Sequence, residues 1–159
     1  MTVKFKYSDG GRLQYGLDFT NRDCVVRALS NAFNVPYIEM RKEIGEYIAK
    51  LRNSKDSTIR KLAEISDVDN GISAAIWIRY LKEKGFTYKK VANKLLKVRD
   101  IKCKGTVLIG GFKHATVIKD GVLYDIGDVR NMFVDFYLYK RVKRACEGNL
   151  KDSTCKRGF

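Results

Sequence analysis

The single histidine of this 159-residue chain, His114, stands at the start of an expected β-hairpin that also contains an aspartate. Two runs of β-branched and aliphatic residues, 114–119 and 122–126, flank Asp120-Gly121, a dipeptide that favours a two-residue turn. Counting outward from that turn places Asp125 diagonally next to His114 on one face of the two strands, within reach of a hydrogen bond. An imidazole oriented by a carboxylate is part of the machinery of nucleophilic catalysis.

A candidate nucleophile, Cys24, lies near the N-terminus. Thr20 or Asn21 can cap a helix there, so we expect Cys24 in its first turn, where exposed backbone N–H groups and the helix dipole favour a thiolate. The helix is expected because four apolar residues that follow fall on one helical face, namely Val25, Ala28, Leu29 and Ala32. A lone cysteine or histidine is commonly a packed core residue, so only Cys24, His114 and Asp125 together indicate a catalytic site.

Three segments carry a resemblance to a known family: Asp23 to Leu29 (DCVVRAL), Tyr80 to Phe86 (YLKEKGF) and His114 to Asp128 (HATVIKDGVLYDIGD). A cysteine at a helix start, with a histidine and an aspartate far downstream on adjacent strands, is the papain-like arrangement. The chain resembles the papain-like cysteine peptidase superfamily and, more narrowly, a group of small phage and plasmid proteins that share these motifs. The order and spacing of the motifs match along most of residues 20–140.

The resemblance implies a papain-like fold and a thiol hydrolase that cleaves a peptide or amide bond. It makes Cys24 the nucleophile, His114 the general base and Asp125 the residue that orients the imidazole. The partner it implies is a protein or peptide substrate, such as a host protein. The expected location is the cytoplasm, which is the host cytoplasm if the chain is phage-encoded. This chemistry requires no cofactor and no metal ion.

The oxyanion hole is where the chain departs from the family's pattern. Papain-like enzymes carry a glutamine six residues before the cysteine, and its amide donates a hydrogen bond to the oxyanion. Asp18 occupies that position here, and a carboxylate cannot donate a hydrogen bond. Asn21 and Gln14 are the candidates for supplying the amide instead.

The elements that must position these residues are expected from periodicity and turn residues. Helices are expected around residues 24–33, 36–51, 59–65 and 72–84, with Pro36 at a first helical position and with Leu62 and Ile65 buried. Strands are expected around residues 1–7, 86–88, 106–109, 114–119, 122–126 and 134–139, the first of them at an edge. This order predicts an α+β fold, with N-terminal helices packed on a C-terminal antiparallel β-sheet.

Length and composition indicate one domain spanning residues 1–159, with a core of about residues 18–140 and a basic C-terminal tail of about residues 141–159. No apolar run is long enough to cross a membrane, and the start of the chain lacks the apolar segment of a secretion signal. Free thiols in a reducing cytoplasm are expected and a zinc site is not, because no paired spacing links the four cysteines, Cys24, Cys103, Cys146 and Cys155.

The charge of the chain is strongly positive, with 32 Lys and Arg against 18 Asp and Glu and a formal net charge of +14. A surplus of this size favours encounter with polyanions such as nucleic acid. The basic residues are dispersed and no DNA-binding or RNA-binding motif is legible, so contact would be to the nucleic-acid backbone and weakly selective. The candidate nucleic-acid-binding residues are Lys89, Lys90, Lys140, Arg141, Lys143 and Arg144.

Two functions of different classes remain open on this reasoning. One is a thiol hydrolase or acyl-transfer enzyme. The other is a catalytically inactive basic protein on the same fold, which binds a host protein or nucleic acid. Cys24, His114 and Asp125 favour the enzyme, whereas Asp18 at the oxyanion position favours the binding protein. The reactivity of Cys24 discriminates between them, because only the enzyme needs a lowered thiol pKa.

Overall fold

The computed structural model describes residues 2–17 and 22–140, which fold as an α+β structure, the class expected from the sequence. The α-helices of this part of the chain are α1 (Cys24–Phe33), α2 (Tyr37–Leu51), α3 (Ser57–Glu64) and α4 (Ala74–Glu83). Its strands are β1 (Lys4–Tyr7), β2 (Thr87–Lys90), β3 (Thr106–Gly111), β4 (His114–Lys119), β5 (Val122–Asp125) and β6 (Phe136–Tyr139). Two short 3-10 helices lie at Arg12–Tyr15 and Val98–Asp100. The expected basic tail, residues 141–159, lies outside the described residues.

The strands form one sheet in the order β1-β5-β4-β3-β6-β2. The prediction of an antiparallel sheet was wrong in one respect, because β1 runs parallel to β5 while the other neighbours are antiparallel. Backbone hydrogen bonds from Lys4 N to Gly121 O (2.9 Å) and from Ser8 N to Asp125 O (2.8 Å) bracket this pairing. The direction suits the path of the chain, since β1 ends beside Asp125 and leads to Arg12, which binds at the start of α1.

The hairpin of β4 and β5 has the expected register, with Val117 opposite Tyr124. Asp120 and Gly121 have φ values of 47° and 78°, as the two-residue hairpin turn requires. The register brings Asp125, at the end of β5, next to the first residue of β4.

The sheet is covered on both faces, which explains why β3 and β4 are nearly continuous apolar runs. The core on the helix side includes Leu29 of α1, Leu108 and Val117. The core on the opposite face includes Val107 and Ile118. Because α1 packs directly on β4, the first residue of α1 lies close to the first residue of β4.

Two local predictions about the helices were wrong. The helix α2 begins at Tyr37, so Pro36 is its N-cap and not its first helical residue. Ile65 is 75% exposed, because α3 has already ended and Ala63 takes the buried position on its inner face. Leu62 is partly buried and packs against the core on the helix side.

Candidate active site

Cys24 is the first residue of α1, as the sequence predicted. The N-cap of α1 is Asp23, and not Thr20 or Asn21, which lie outside the described residues. The side chain of Asp23 makes no capping hydrogen bond. The first-turn N–H groups of α1 therefore keep the partial positive charge that favours an anion at the position of Cys24.

His114 is the first residue of β4, and its Nε2 lies 2.6 Å from Oδ2 of Asp125. The other carboxylate oxygen, Oδ1, accepts hydrogen bonds from the backbone N–H of Ile126 (2.7 Å) and from Nη1 of Arg27 (3.2 Å). Asp125 is buried, and each of these partners favours its ionised form. Because Nε2 is held by Asp125, Nδ1 is the ring nitrogen left to interact with the thiol of Cys24, which lines the same cleft.

The pKa values of the three groups shift in mutually consistent directions. Burial raises the pKa of the Cys24 thiol, but hydrogen bonds with His114 and the Ala115 backbone outweigh it, and the pKa falls below its ordinary value. Burial lowers the pKa of His114, but hydrogen bonds with Asp125 and Cys24 raise it overall to about 9. Burial raises the pKa of Asp125, yet the hydrogen bond and charge of His114, the hydrogen bond of Thr116 and the charge of Arg27 together outweigh it and lower the pKa. The site therefore favours a thiolate and an imidazolium held by a carboxylate.

A buried ion-pair network extends from Asp125 to the start of α1. Arg27, one turn into the helix, donates from Nε to Oδ1 of Asp23 at 3.0 Å and from Nη1 to Asp125. Asp23 also accepts from Nη1 of Arg12 at 2.9 Å and from the hydroxyl of Tyr37 at 2.6 Å. Burial raises the pKa of Asp23, but these donors lower it overall. The network fixes Asp125 from the side of α1.

Asp23 and Arg27 were not predicted from the sequence to belong to the site. Both lie in the DCVVRAL motif, four residues apart, which is the spacing of an ion pair along a helix. The available signal was the position of Arg27 between Val26 and Ala28, which are both buried. A charged side chain in such a position is buried only when it is paired.

Cys24 and His114 open onto a cleft of about 920 Å³, lined by α1, α4 and the ends of β3 and β4. Its walls include Trp77 of α4 and Gly110 of β3. Gly110 leaves no room for a side chain, because a Cβ there would lie 2.2 Å from the ring of Phe136. The volume lies in the range of small-molecule and cofactor sites, about 300–1,000 Å³. A substrate therefore has space beside the candidate nucleophile.

The structure does not place Gln14 in this cleft. Gln14 lies in the first 3-10 helix, where it is exposed, and it is not among the residues that line the cleft. Asn21 and Asp18 lie outside the described residues. Arg22, two residues before Cys24, does line the cleft and was not singled out from the sequence. The guanidinium group of Arg22 can donate hydrogen bonds to an oxyanion in the cleft.

Lys89 and Lys90, two of the candidate nucleic-acid-binding residues, lie on β2, an exposed strand at the edge of the sheet. The Nζ of Lys140 lies 6.0 Å from the ring centroid of Phe86, just before β2. The described lysines of this set therefore share one edge of the sheet. The other candidates lie outside the described residues, namely Arg141, Lys143 and Arg144.

Comparison of the chain with known protein families, curated proteins and solved structures finds no match. Within residues 2–17 and 22–140, no group of three or more His, Cys, Asp or Glu side chains is arranged to hold a metal ion. None of the helices in the described part of the chain combines the length and apolar character needed to cross a membrane. A function for this protein therefore rests on the geometry and electrostatics of the cleft.

Proposed function

We propose that the protein is a papain-like thiol hydrolase that cleaves a peptide or amide bond of a protein or peptide substrate. The observation that carries the proposal is the series of Cys24, His114 and Asp125: Cys24 and His114 line the same cleft, and Nε2 of His114 lies 2.6 Å from Oδ2 of Asp125. This series supplies a nucleophile, a base and a group that orients the base, next to space for a substrate.

The reaction proceeds through a thioester on Cys24. The thiolate attacks the carbonyl carbon of the substrate, and an electron pair moves to the carbonyl oxygen. His114 donates its proton to the leaving nitrogen, the C–N bond breaks, and the acyl group stays on sulfur. Water then attacks the thioester while His114 takes its proton, the C–S bond breaks, and the acid leaves. Asp125 stays ionised throughout and holds the imidazole in place.

Trapping the acyl-enzyme tests this proposal. p-Nitrophenyl acetate acylates a reactive thiolate and releases p-nitrophenolate, so the wild type should show a burst of p-nitrophenolate and one acetyl group on the Cys24 peptide. Cys24→Ser and His114→Ala should lose both signals. Cys103→Ser is the matched control and should keep them, because burial raises the pKa of Cys103. Equal acetylation of Cys24 and Cys103, or none at Cys24, would refute the proposal.

The lysines at the β2 edge favour a second candidate function, in which a catalytically inactive protein on the same fold binds nucleic-acid backbone. Lys89→Glu with Lys90→Glu should then reduce the slope of log affinity against log salt by about 2. Lys50→Glu with Lys61→Glu, at exposed helix positions, is the control and should change the slope less. Equal slopes for the two double variants would rule out this edge as the binding surface.

A further inference from the structure

A second, mostly apolar cavity adjoins the catalytic cleft. It has a volume of about 520 Å³, shares His114 and Asp135 with the cleft, and does not include Cys24. Phe112 is 90% exposed and Phe133 is 48% exposed in its wall. The remaining lining residues are also apolar, namely Val129 and Met132. Neighbouring exposed aromatic rings around a cavity mark a contact surface.

Phe112 occupies the two-residue turn between β3 and β4, in a backbone conformation that disfavours it. The φ values of Phe112 and Lys113 are 43° and 58°, in a region that Gly, Asn and Asp adopt more readily than other residues. The chain follows this preference in the next hairpin, at Asp120-Gly121, and departs from it beside His114. Residues held in a disfavoured backbone conformation are expected where they serve a function.

The aromatic wall is held by a fixed backbone. Met132 N donates to Val129 O at 2.9 Å, and Val98 N donates to Met132 O at 3.0 Å. Phe112 N donates to Oδ2 of Asp135 at 3.2 Å, which ties the turn to the segment before β6. A preformed wall loses little conformational entropy when a ligand binds.

The two cavities meet different parts of a substrate. Cys24 bonds to the acyl carbon, whereas His114 gives its proton to the leaving amine, so the cavity that includes His114 but not Cys24 lies on the leaving-group side. We propose that this cavity, walled by Phe112 and Phe133, is a subsite for a bulky apolar side chain on the amine side of the cleaved bond. The proposal rests on the thiol-hydrolase function and adds a substrate class, a peptide with an aromatic or large aliphatic residue there.

Transfer of an acyl group to added amines measures this subsite. An acetyl group placed on Cys24 by p-nitrophenyl acetate leaves either to water, as acetate, or to an amine on the leaving-group side, as an N-acetyl amide. In the second case the amine nitrogen bonds to the thioester carbon, its proton passes to His114, and the C–S bond breaks to restore the thiolate. The product ratios for phenylalaninamide, leucinamide and glycinamide report the preference for an apolar side chain.

We expect phenylalaninamide to capture the acetyl group about tenfold more efficiently than glycinamide. Burial of one aromatic side chain in the subsite provides enough binding free energy for a ratio of this size. Phe112→Asn should remove most of this preference without lowering Tm, because Asn suits the turn. Phe133→Ser should also reduce it, and Phe112→Leu should retain most of it. Leu95→Ser is the matched control and should keep it in full, since Leu95 is 75% exposed and lines neither cavity.

The failures of the subsite and of the hydrolase are distinguishable. If acetylated Cys24 forms but all three amines capture the acetyl group equally well, the subsite proposal is wrong and the hydrolase proposal is unaffected. The subsite is also wrong if Phe112→Asn and Phe133→Ser both keep the preference for phenylalaninamide over glycinamide. It is wrong as well if Leu95→Ser loses this preference as much as the two Phe variants do. If Cys24 is never acetylated, the hydrolase fails and the subsite fails with it.

Discussion

Nη1 of Arg27 donates a hydrogen bond to Oδ1 of Asp125 at 3.2 Å, across 98 positions of sequence. Arg27 lies on the same helix as Cys24, and Asp125 holds His114. One ion pair therefore ties the helix that carries the proposed nucleophile to the carboxylate that orients the proposed base. We expect Arg27 to be a positioning residue that acts through Asp125.

Arg27→Met should destabilise the fold by about 3–5 kcal/mol, because removing one partner of a buried ion pair leaves Asp23 and Asp125 less compensated. Arg41→Met is the matched control. Its pair with Asp69 is partly exposed, so the loss should be under about 1 kcal/mol. Urea unfolding measures both variants, and equal losses would show that the buried bridge does not stabilise the fold as described.

Arg27→Lys separates positioning from stability. The ammonium keeps the charge but cannot bridge two carboxylates as a guanidinium does, so its hold on Asp125 is weaker. A weaker hold on Asp125 lowers the pKa of His114, and the pH range in which Cys24 reacts with iodoacetamide should narrow. Arg41→Lys should leave that profile unchanged. A normal profile in Arg27→Lys would make the role of Arg27 purely structural.

Lys113→Gly should stabilise the protein by about 1 kcal/mol, because Lys113 has a φ of 58° and glycine adopts that conformation without steric cost. Lys94→Gly is the control, since Lys94 is exposed and has no positive φ, and it should bring no gain. Thermal unfolding of the two variants gives the comparison. An unchanged or lower Tm in Lys113→Gly would remove the argument that the turn beside His114 is strained.

Gly110→Ala should destabilise the protein by about 1–3 kcal/mol, because the added Cβ would lie 2.2 Å from the ring of Phe136. Gly127→Ala is the control, since a Cβ at Gly127 meets nothing within 4 Å and its φ is not positive. Denaturant unfolding should show the loss only in Gly110→Ala. Equal stability of the two variants would mean that β3 and β6 approach less closely than the structure shows.

The raised pKa of His114, about 9 against an ordinary 6.5, makes its contribution to stability depend on pH. A group with a raised folded-state pKa stabilises the fold fully below its unfolded pKa, and the contribution is lost as pH rises through the folded pKa. The difference in unfolding free energy between wild type and His114→Ala should therefore be larger at about pH 6 than above about pH 9. Urea unfolding at both pH values measures it, and a difference that grows with pH would reverse the assigned sign.

The hairpin that carries His114 and Asp125 could be predicted from the sequence because its determinants are local. Asp120-Gly121 fixes the turn, the turn fixes the register, and the register puts Asp125 beside His114. The position of Cys24 at a helix start was also accessible, because the apolar period of α1 begins directly after it.

The features that escaped prediction depend on contacts between distant segments. The parallel pairing joins β1 at the start of the chain to β5, and the bridge from Arg27 to Asp125 forms only once α1 has packed across β4. The strained turn at Phe112 was not visible either, because Phe-Lys is not a dipeptide that signals a hairpin. Ile65 was wrongly expected to be buried because the helix was expected to extend to it. The helix α3 ends at Glu64, and the side chain of the residue after its end faces a different direction.

The pH dependence of iodoacetamide alkylation at Cys24, followed for each cysteine by mass spectrometry, tests the central claim most directly. Cys103 in the same protein is the internal reference, because burial raises its pKa. We predict that Cys24 alkylates well below the ordinary thiol pKa of about 8.5, ahead of Cys103, and that His114→Ala abolishes this shift. A pH profile of Cys24 that follows that of Cys103, or that His114→Ala leaves unchanged, would contradict the thiolate–imidazolium pair and the catalytic proposal with it.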